Sequence, residues 1–217
     1  MIARLAPDHG QTDAYARFLK QLGNEGFQGE IAGDLGSRTV LATTDNSIYQ
    51  RLPQAAVFPK TYADVELVAK LAAHPQYRSV VLTPRGGGTG TNGQSLTDGI
   101  VVSRHLNGIL EINVEERWVR VQSGVVKDQL NAALKPHGLF FAPELSTSNR
   151  ATIGGMINTD ASGQGSCTYG KTRDHVLALS TVLLGGQRLD SQPLAAEQAD
   201  REAARAAPAT SPTSRHN

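Results

Sequence analysis

A glycine-rich segment that directly follows an apolar run is the feature that most restricts how this chain can fold. Residues 84–93 read Pro-Arg-Gly-Gly-Gly-Thr-Gly-Thr-Asn-Gly, and the apolar run Val80–Leu82 comes just before them. Glycine permits positive φ and close backbone approach, so consecutive N–H groups can converge on an anion such as a pyrophosphate. Each hydrogen bond to a charged oxygen contributes roughly 1.5–3 kcal/mol, so several can hold a dinucleotide without a lysine. The segment predicts a phosphate-binding loop after a strand.

Other interpretations of this glycine loop have to be weighed. Gly88, Gly90 and Gly93 formally match the pattern G-x-G-x-x-G, but a Rossmann turn must open into a helix, whereas residues 94–99 have the composition of a loop. A P-loop is excluded because no Gly-Lys-Ser/Thr is present. A glycine-rich surface turn without a ligand stays open for this loop taken alone.

Charge and cysteine content exclude several other classes of protein. Lysine plus arginine (21) nearly balance aspartate plus glutamate (20), and the predicted helices carry no basic stripe, so we expect no nucleic-acid binding. The single cysteine, Cys167, excludes an intramolecular disulfide and a cysteine-based metal cluster within these residues. No signal peptide and no apolar run of membrane-spanning length is found. We therefore expect a cytoplasmic protein without a metal site or a membrane span.

Periodicity and capping signals predict a mixed α and β chain. Helices are expected at residues 12–26, from the capping-box-like Thr61 and Asp64 to about His74, and from Val126 to Lys135. Strands are expected at Ala56–Phe58, Val80–Leu82, Ile100–Val102, Ile109–Ile112, Trp118–Val121 and 176–184, the last turning through Gly185-Gly186 into a hairpin.

A second polar, glycine-bearing stretch carries a family resemblance. Pro143 is followed by Thr152-Ile-Gly-Gly155 and then by Tyr169-Gly170, and a valine strand starts at Val176. Together with Pro-x-Gly-Gly-Gly-Thr-Gly in the first loop, over about residues 37–190, this order resembles the FAD-binding domain shared by vanillyl-alcohol oxidase and p-cresol methylhydroxylase. It looks most like the N-terminal part of bacterial FAD- and iron–sulfur-containing D-2-hydroxyglutarate or D-lactate dehydrogenases.

The resemblance implies an α+β fold: a two-lobed FAD-binding domain with a small mixed sheet, an antiparallel-rich sheet and flanking helices. It also implies a set of FAD-contacting positions. On the pyrophosphate side these are Pro84, Arg85, Gly86, Gly87, Gly88, Thr89, Gly90, Gly93 and Ser95. Along the ribityl, flavin and adenine parts they are Pro143, Thr152, Gly154, Gly155, Thr159, Asp160, Gly163, Tyr169, Gly170 and Val176.

The mode of FAD attachment follows from what the first loop lacks. Some relatives bind FAD covalently through a histidine in that loop, but none lies between Pro84 and Gly93, so non-covalent FAD is expected. Cys167 is a formal candidate for a thioether or redox thiol, although a lone buried cysteine is commonly inert. His175, beside Asp174, fits a structural or cofactor-adjacent hydrogen bond at least as well as a catalytic role. No catalytic residue is assigned.

The chain departs from the family pattern in two places. Residues Val101–Asn107 are two residues shorter than the family motif, which suggests local distortion next to the FAD cradle. After Asp190 the composition becomes poor in large apolar residues, which predicts a disordered tail at 191–217 and a C-terminally truncated FAD domain at 37–190, after a helical segment at 1–36. The reading frame looks truncated or frame-shifted, or completed by a separately encoded C-terminal subunit.

These expectations define a first hypothesis and two rivals. In an intact relative, a 2-hydroxy acid substrate would pass a hydride to flavin N5 while a protein base takes the hydroxyl proton. The first hypothesis is the FAD-binding portion of such a dehydrogenase, with the iron–sulfur modules and the substrate cap in the absent part. The rivals are a non-catalytic interaction module and a small flavin reductase of the same superfamily.

Overall fold

The structure, a computed structural model, describes residues 10–103 and 105–191. Of the disordered tail predicted at 191–217, Ser191 is described and residues 192–217 lie outside this range, as do residues 1–9 of the predicted helical segment. The helices are α1 (Asp13–Asn24), α2 (Leu35–Ala42), α3 (Tyr62–Ala72), α4 (Lys127–Leu134), α5 (Ile153–Asn158) and α6 (Ser166–Tyr169), with 3-10 turns at Pro75–Tyr77, Lys135–His137 and Thr172–His175. The strands are β1 (Glu30–Ala32), β2 (Ala55–Phe58), β3 (Leu82–Pro84), β4 (Ile100–Val102), β5 (Ile109–Asn113), β6 (Trp118–Val121), β7 (Ser180–Val182) and β8 (Arg188–Asp190).

The first lobe is a four-stranded mixed sheet covered by helices. Its order is β1-β2-β4-β3, with β1 antiparallel to β2 and the other neighbours parallel. Because side chains alternate along a strand, Val57 faces α1 and α3 and packs with Phe18 and Leu22, whereas Ala56 faces the opposite side with Val101. The burial of both faces explains why β2 is apolar throughout.

A network around Asp64 fixes the start of α3. The Thr61 hydroxyl accepts from the Asp64 N–H (3.1 Å) and the Asp64 carboxylate accepts from the Thr61 N–H (3.0 Å), which confirms the predicted capping box. The same carboxylate accepts from the N–H groups of Gln28 and Lys60. Burial alone raises the pKa of Asp64, but these hydrogen bonds together outweigh burial and hold the pKa below its usual value.

The second lobe builds a separate core from α4, α5 and the β5–β6 ribbon. Val125, Leu130, Leu134, Ile153 and Met156 are its buried centre, and apolar residues of both strands pack against them. The β7–β8 pair forms a second antiparallel ribbon. The small mixed sheet, the antiparallel ribbons and the flanking helices agree with the predicted α+β architecture.

Several predicted elements need correction. The third strand is found at Leu82–Pro84 rather than Val80–Leu82, because the Val80 N–H still closes a turn to the Tyr77 carbonyl (2.8 Å). The extended run 176–184 pairs only at Ser180–Val182, and its hairpin turns through three residues, since the Leu183 N–H bonds to the Gln187 carbonyl.

Other elements were not predicted at all, and one predicted distortion is not found. Strand β1 and helices α2, α5 and α6 are too short or too rich in glycine to give a periodic signal. Strand β4 pairs in regular register with both neighbours, and the Ser103 N–H bonds to the Val57 carbonyl (3.0 Å). The strand at 100–103 is therefore undistorted despite the shorter motif.

Candidate functional site

The glycine loop presents a run of free backbone donors. It leaves β3 at Pro84, and residues 94–99 after it form no helix, which agrees with the rejection of a Rossmann turn. Within the described part of the chain, the N–H groups of residues 86–91 donate to no protein atom. Six consecutive unpaired amides beside a cleft are a ready site for an oxyanion.

The loop packs closely against the segment that leads into α5. A Cβ atom on Gly86 would lie 2.3 Å from the Thr152 hydroxyl oxygen, and one on Gly87 would lie 2.1 Å from the Arg150 carbonyl oxygen. Atoms at such distances overlap. A larger residue at Gly86 would require the Thr152 side chain to move, and one at Gly87 would require the backbone to move, because the Arg150 carbonyl is a main-chain group. These two glycines therefore serve close packing between the lobes, in addition to the phosphate contact expected of their N–H groups.

The start of α5 is held by the protein itself. Thr152 is its N-cap, and its hydroxyl accepts from the Gly155 N–H (3.3 Å). The N–H groups of Ile153 and Gly154 donate to the carbonyls of Val125 and Ser123, both at 2.8 Å. The first amides of this short helix are thus satisfied, so the glycine loop supplies the open donors.

A cleft of about 860 Å³ lies between the glycine loop and α5. The structure brings twelve of the predicted cofactor positions to its walls. They are Pro84, Arg85, Gly86, Gly87, Gly88, Thr89, Gly90, Ser95, Thr152, Gly154, Gly155 and Thr159.

The seven other predicted positions do not line this cleft. They are Gly93, Pro143, Asp160, Gly163, Tyr169, Gly170 and Val176. Pro143 is buried, Asp160 pairs with Arg173 (3.1 Å), and the Tyr169 ring meets Phe140 edge to face. Their assignment to FAD stays a prediction.

Several residues that line the cleft were not predicted from the sequence. They include Ser103, Ser123, Gly124, Thr147, Asn158 and Ser162. Ser123 and Gly124 follow β6 in a turn closed by the Val125 N–H and the Gln122 carbonyl (3.2 Å), so a glycine three positions after the end of a strand was the available signal. Of the other four, Thr147, Asn158 and Ser162 lie within the second glycine-bearing stretch and Ser103 follows β4, but none belongs to a recognised motif.

The cleft is nearly free of ionisable groups. Among the described residues that line it, Arg85 is the single one with an ionisable side chain. The remaining polar lining consists of backbone, hydroxyl and amide groups. Such walls can bind an anionic, partly aromatic ligand, but they offer no side chain suited to general acid–base catalysis.

His175 and Cys167 both lie outside the cleft lining. The His175 Nε2 is 2.6 Å from the Tyr169 carbonyl oxygen, and the His175 ring packs against Phe141. The contact with Tyr169 agrees with a structural hydrogen bond at His175, one of the two roles expected from the sequence. Cys167 is exposed, so the expectation of a buried cysteine is wrong. Across residues 10–103 and 105–191, no helix is long and apolar enough to cross a membrane, and no three histidine, cysteine or acidic side chains cluster as metal ligands.

Fold and site together define a class of protein. Residues 53–191 match the family described as FAD binding domain, and this chain belongs to that family. The glycine loop, the cleft and α5 all fall inside the matched range. The cofactor of this class is FAD.

The chain is similar to D-2-hydroxyglutarate dehydrogenases of bacteria. It is 74% identical to that of Pseudomonas putida over 196 residues, which are 89% of this chain and 19% of the relative. It is 60% identical to that of Escherichia coli over 202 residues, which are 92% of this chain and 20% of the relative. The chain thus spans about a fifth of the length of these relatives.

The fold also matches solved structures. It superimposes on an alkyldihydroxyacetonephosphate synthase with a TM-score of 0.73 at 22% identity, covering 89% of this chain and 37% of the other. The resemblance to FAD domains of the vanillyl-alcohol oxidase and p-cresol methylhydroxylase type is confirmed.

Proposed function

We propose that this chain supplies the FAD-binding portion of a flavoenzyme that oxidises a D-2-hydroxy acid. The observation that carries the proposal is the run of six amides, residues 86–91, that have no partner among the described residues and lie on one wall of an 860 Å³ cleft. The likeness to D-2-hydroxyglutarate dehydrogenases supports a 2-hydroxy acid as the substrate class.

The residues present fit FAD bound without a covalent link. Free amides with a cation beside them suit a pyrophosphate, and the apolar residues Leu145 and Met156 on the cleft wall suit a flavin ring. Within the described lining there is no histidine, cysteine or tyrosine to form a bond to the flavin. The amides of residues 86–91 would hold the pyrophosphate, and the positions along α5 would contact the ribityl and flavin portions.

Bound FAD would supply the hydride acceptor at N5. The chain's own residues would bind and orient the cofactor and exclude water from one side of it. The base that takes the substrate hydroxyl proton, and the cations that bind the substrate carboxylate, would come from polypeptide outside the described residues, because the cleft lining offers only Arg85.

A complementing polypeptide is part of the proposal. The relatives are about five times longer than this chain, and their remaining length would contain the substrate domain and iron–sulfur modules. Leu177 and Leu184, next to β7, are 78% and 74% exposed. Exposed leucines beside a two-stranded ribbon suit coverage by further polypeptide, covalently continuous or supplied as a subunit.

We place the assembled protein in the reducing cytoplasm.

Absorbance of the purified chain from 300 to 550 nm after desalting tests cofactor binding. For non-covalent FAD we expect flavin absorbance peaks in the desalted protein. Denaturation should then release all of the flavin and leave none bound to the protein. A soluble, folded chain that remains colourless after incubation with FAD would contradict the proposal.

Anaerobic bleaching of the flavin tests the substrate class. D-2-hydroxyglutarate should bleach it only after co-expression with the C-terminal four-fifths of the Pseudomonas putida relative, and the L-enantiomer should not. Bound flavin that no 2-hydroxy acid reduces in the complemented protein would favour the non-catalytic interaction module.

The organisation into a helical segment at 1–36 and an FAD domain at 37–190 belongs to the same proposal. Strand β1 pairs with β2 and helix α1 packs against α3, so the first segment would contribute to the stability of the FAD domain.

A further inference from the structure

A turn at residues 44–50 docks on the outer side of the glycine loop. An antiparallel bridge between its first and last residues closes it, and the Asn46 N–H donates to the Gly90 carbonyl (3.1 Å). In a trans peptide the carbonyl of one residue and the N–H of the next point in opposite directions. The contact with Asn46 therefore directs the Thr91 N–H away from the turn, and Thr91 lines the cleft.

A contact of the same kind sets the other end of the amide run. The Ser103 hydroxyl donates to the Arg85 carbonyl oxygen (3.3 Å), which directs the Gly86 N–H to the opposite side. The first and the last free amides of the loop are thus oriented by hydrogen bonds that the carbonyls of Arg85 and Gly90 accept from protein donors.

The Arg85 guanidinium joins the turn to the loop. Its Nη2 donates to the Thr44 carbonyl (2.5 Å) and its Nη1 donates to the Ser95 hydroxyl (3.0 Å). The Ser95 hydroxyl lies 3.5 Å from an Asp45 carboxylate oxygen. A Cβ on Gly88 would lie 2.5 Å from Nη2, so the guanidinium rests directly against the loop backbone.

We propose that Arg85 and the turn at 44–50 form a positioning brace that fixes the amides of residues 86–91 for the pyrophosphate of FAD. Arg85 acts through Thr44 and Ser95 and not as a phosphate ligand of its own. The turn itself lies outside the cleft, since no described residue of the turn lines it, whereas Arg85 and Ser95 lie on the cleft wall. This inference rests on the proposed FAD binding.

Replacement of Arg85 by lysine separates the two possible roles. Lysine keeps the positive charge but lacks the planar fork that bridges Thr44 and Ser95. If Arg85 positions the loop, R85K and R85M both weaken FAD binding on the order of tenfold, as expected for loss of one or two charged hydrogen bonds. If Arg85 instead pairs directly with phosphate, R85K binds FAD nearly as the unaltered chain does.

Flavin fluorescence titrations of the full chain with FAD and with riboflavin provide the test. Riboflavin lacks the pyrophosphate. The ratio of the FAD affinity to the riboflavin affinity therefore measures how well the amides of residues 86–91 bind the pyrophosphate, and it does not depend on the folded fraction of the protein. We expect R85K, R85M and S95A to lower that ratio, and S95A to add little to R85M because both break one connection. The control R51M removes an exposed arginine paired with Asp98 and should leave the ratio unchanged.

The outcomes distinguish the brace from the cofactor assignment. Normal FAD binding by R85K or S95A would overturn the brace, and so would an equal loss of FAD and riboflavin affinity, which indicates general destabilisation. Failure of the unaltered chain to bind FAD would overturn the proposed function itself.

Discussion

Replacement of Gly87 by alanine tests whether close packing between the lobes shapes the FAD cleft. The added Cβ would lie 2.1 Å from the Arg150 carbonyl oxygen and 2.9 Å from its carbon. Both atoms are backbone, so no side chain can rotate away to make room. The loop and the residues before α5 must then separate by about 1.3 Å to reach an ordinary contact distance.

The size of the effect follows from that displacement. Forcing a methyl group into a filled contact costs typically about 1–3 kcal/mol. If the cost falls entirely on the arrangement of the cleft that binds FAD, the affinity for FAD weakens by about 5–150-fold. The G87A variant should still fold, because the glycine loop lies outside both hydrophobic cores.

The assay pairs urea unfolding with a flavin titration, and G23A is the matched control. A Cβ at Gly23 has no neighbour within 4 Å and its φ is not positive, so alanine there should be neutral or stabilising by about 0.5–1 kcal/mol. We expect G87A to lose FAD affinity while G23A does not. A G87A chain with unchanged urea midpoint and unchanged FAD affinity would refute the packing argument.

Three further predictions concern pH, charge and thiol chemistry. D64N should destabilise the chain by about 1–3 kcal/mol at pH 7. The pKa of Asp64 is lowered by folding, so its stabilisation is complete above the unfolded pKa and is lost as pH falls through the folded value; urea midpoints of D64N and the unaltered chain should therefore converge below about pH 4. FAD affinity should vary less than about twofold between pH 6 and 9, because Arg85 is the single ionisable residue of the described cleft lining and arginine stays charged throughout; a steep pH dependence in equilibrium dialysis would contradict this. Cys167 is exposed and should react with a thiol reagent once per native chain, and C167S should retain FAD; slow or absent labelling before denaturation would oppose the exposed placement.

The sequence was informative where the physical cause is local. The capping box of α3 needs only Thr61 and Asp64, and both hydrogen bonds are found. The glycine loop was predicted from the free amides that glycine allows, and its amides are unpaired within the described chain. In both cases the determining residues lie within a few positions of one another.

The sequence was uninformative where the cause is long-range. Arg85 meets Thr44 across 41 positions and Asp45 faces Ser95 across 50, so no local pattern marks the turn at 44–50. Two glycines near the start of α5 lower helix propensity, and tertiary packing of Met156 overrides this. The close packing at Gly87 was not predicted for the same reason, since the Arg150 carbonyl that excludes a side chain is distant in sequence.

The chemistry of the cleft indicates how the work of a whole enzyme would be divided. Backbone amides and hydroxyl groups bind a cofactor without titrating, so under the proposed function the affinity of the site for FAD would not depend on the protonation of its own walls. A base or acid placed on the same wall would couple cofactor binding to protonation. In the described lining that wall carries Arg85 alone, which our proposal assigns to bracing the loop. Proton transfer and substrate selection can then be supplied by separate polypeptide that closes over the cleft, and FAD affinity measured on this chain should be independent of which substrate that polypeptide selects.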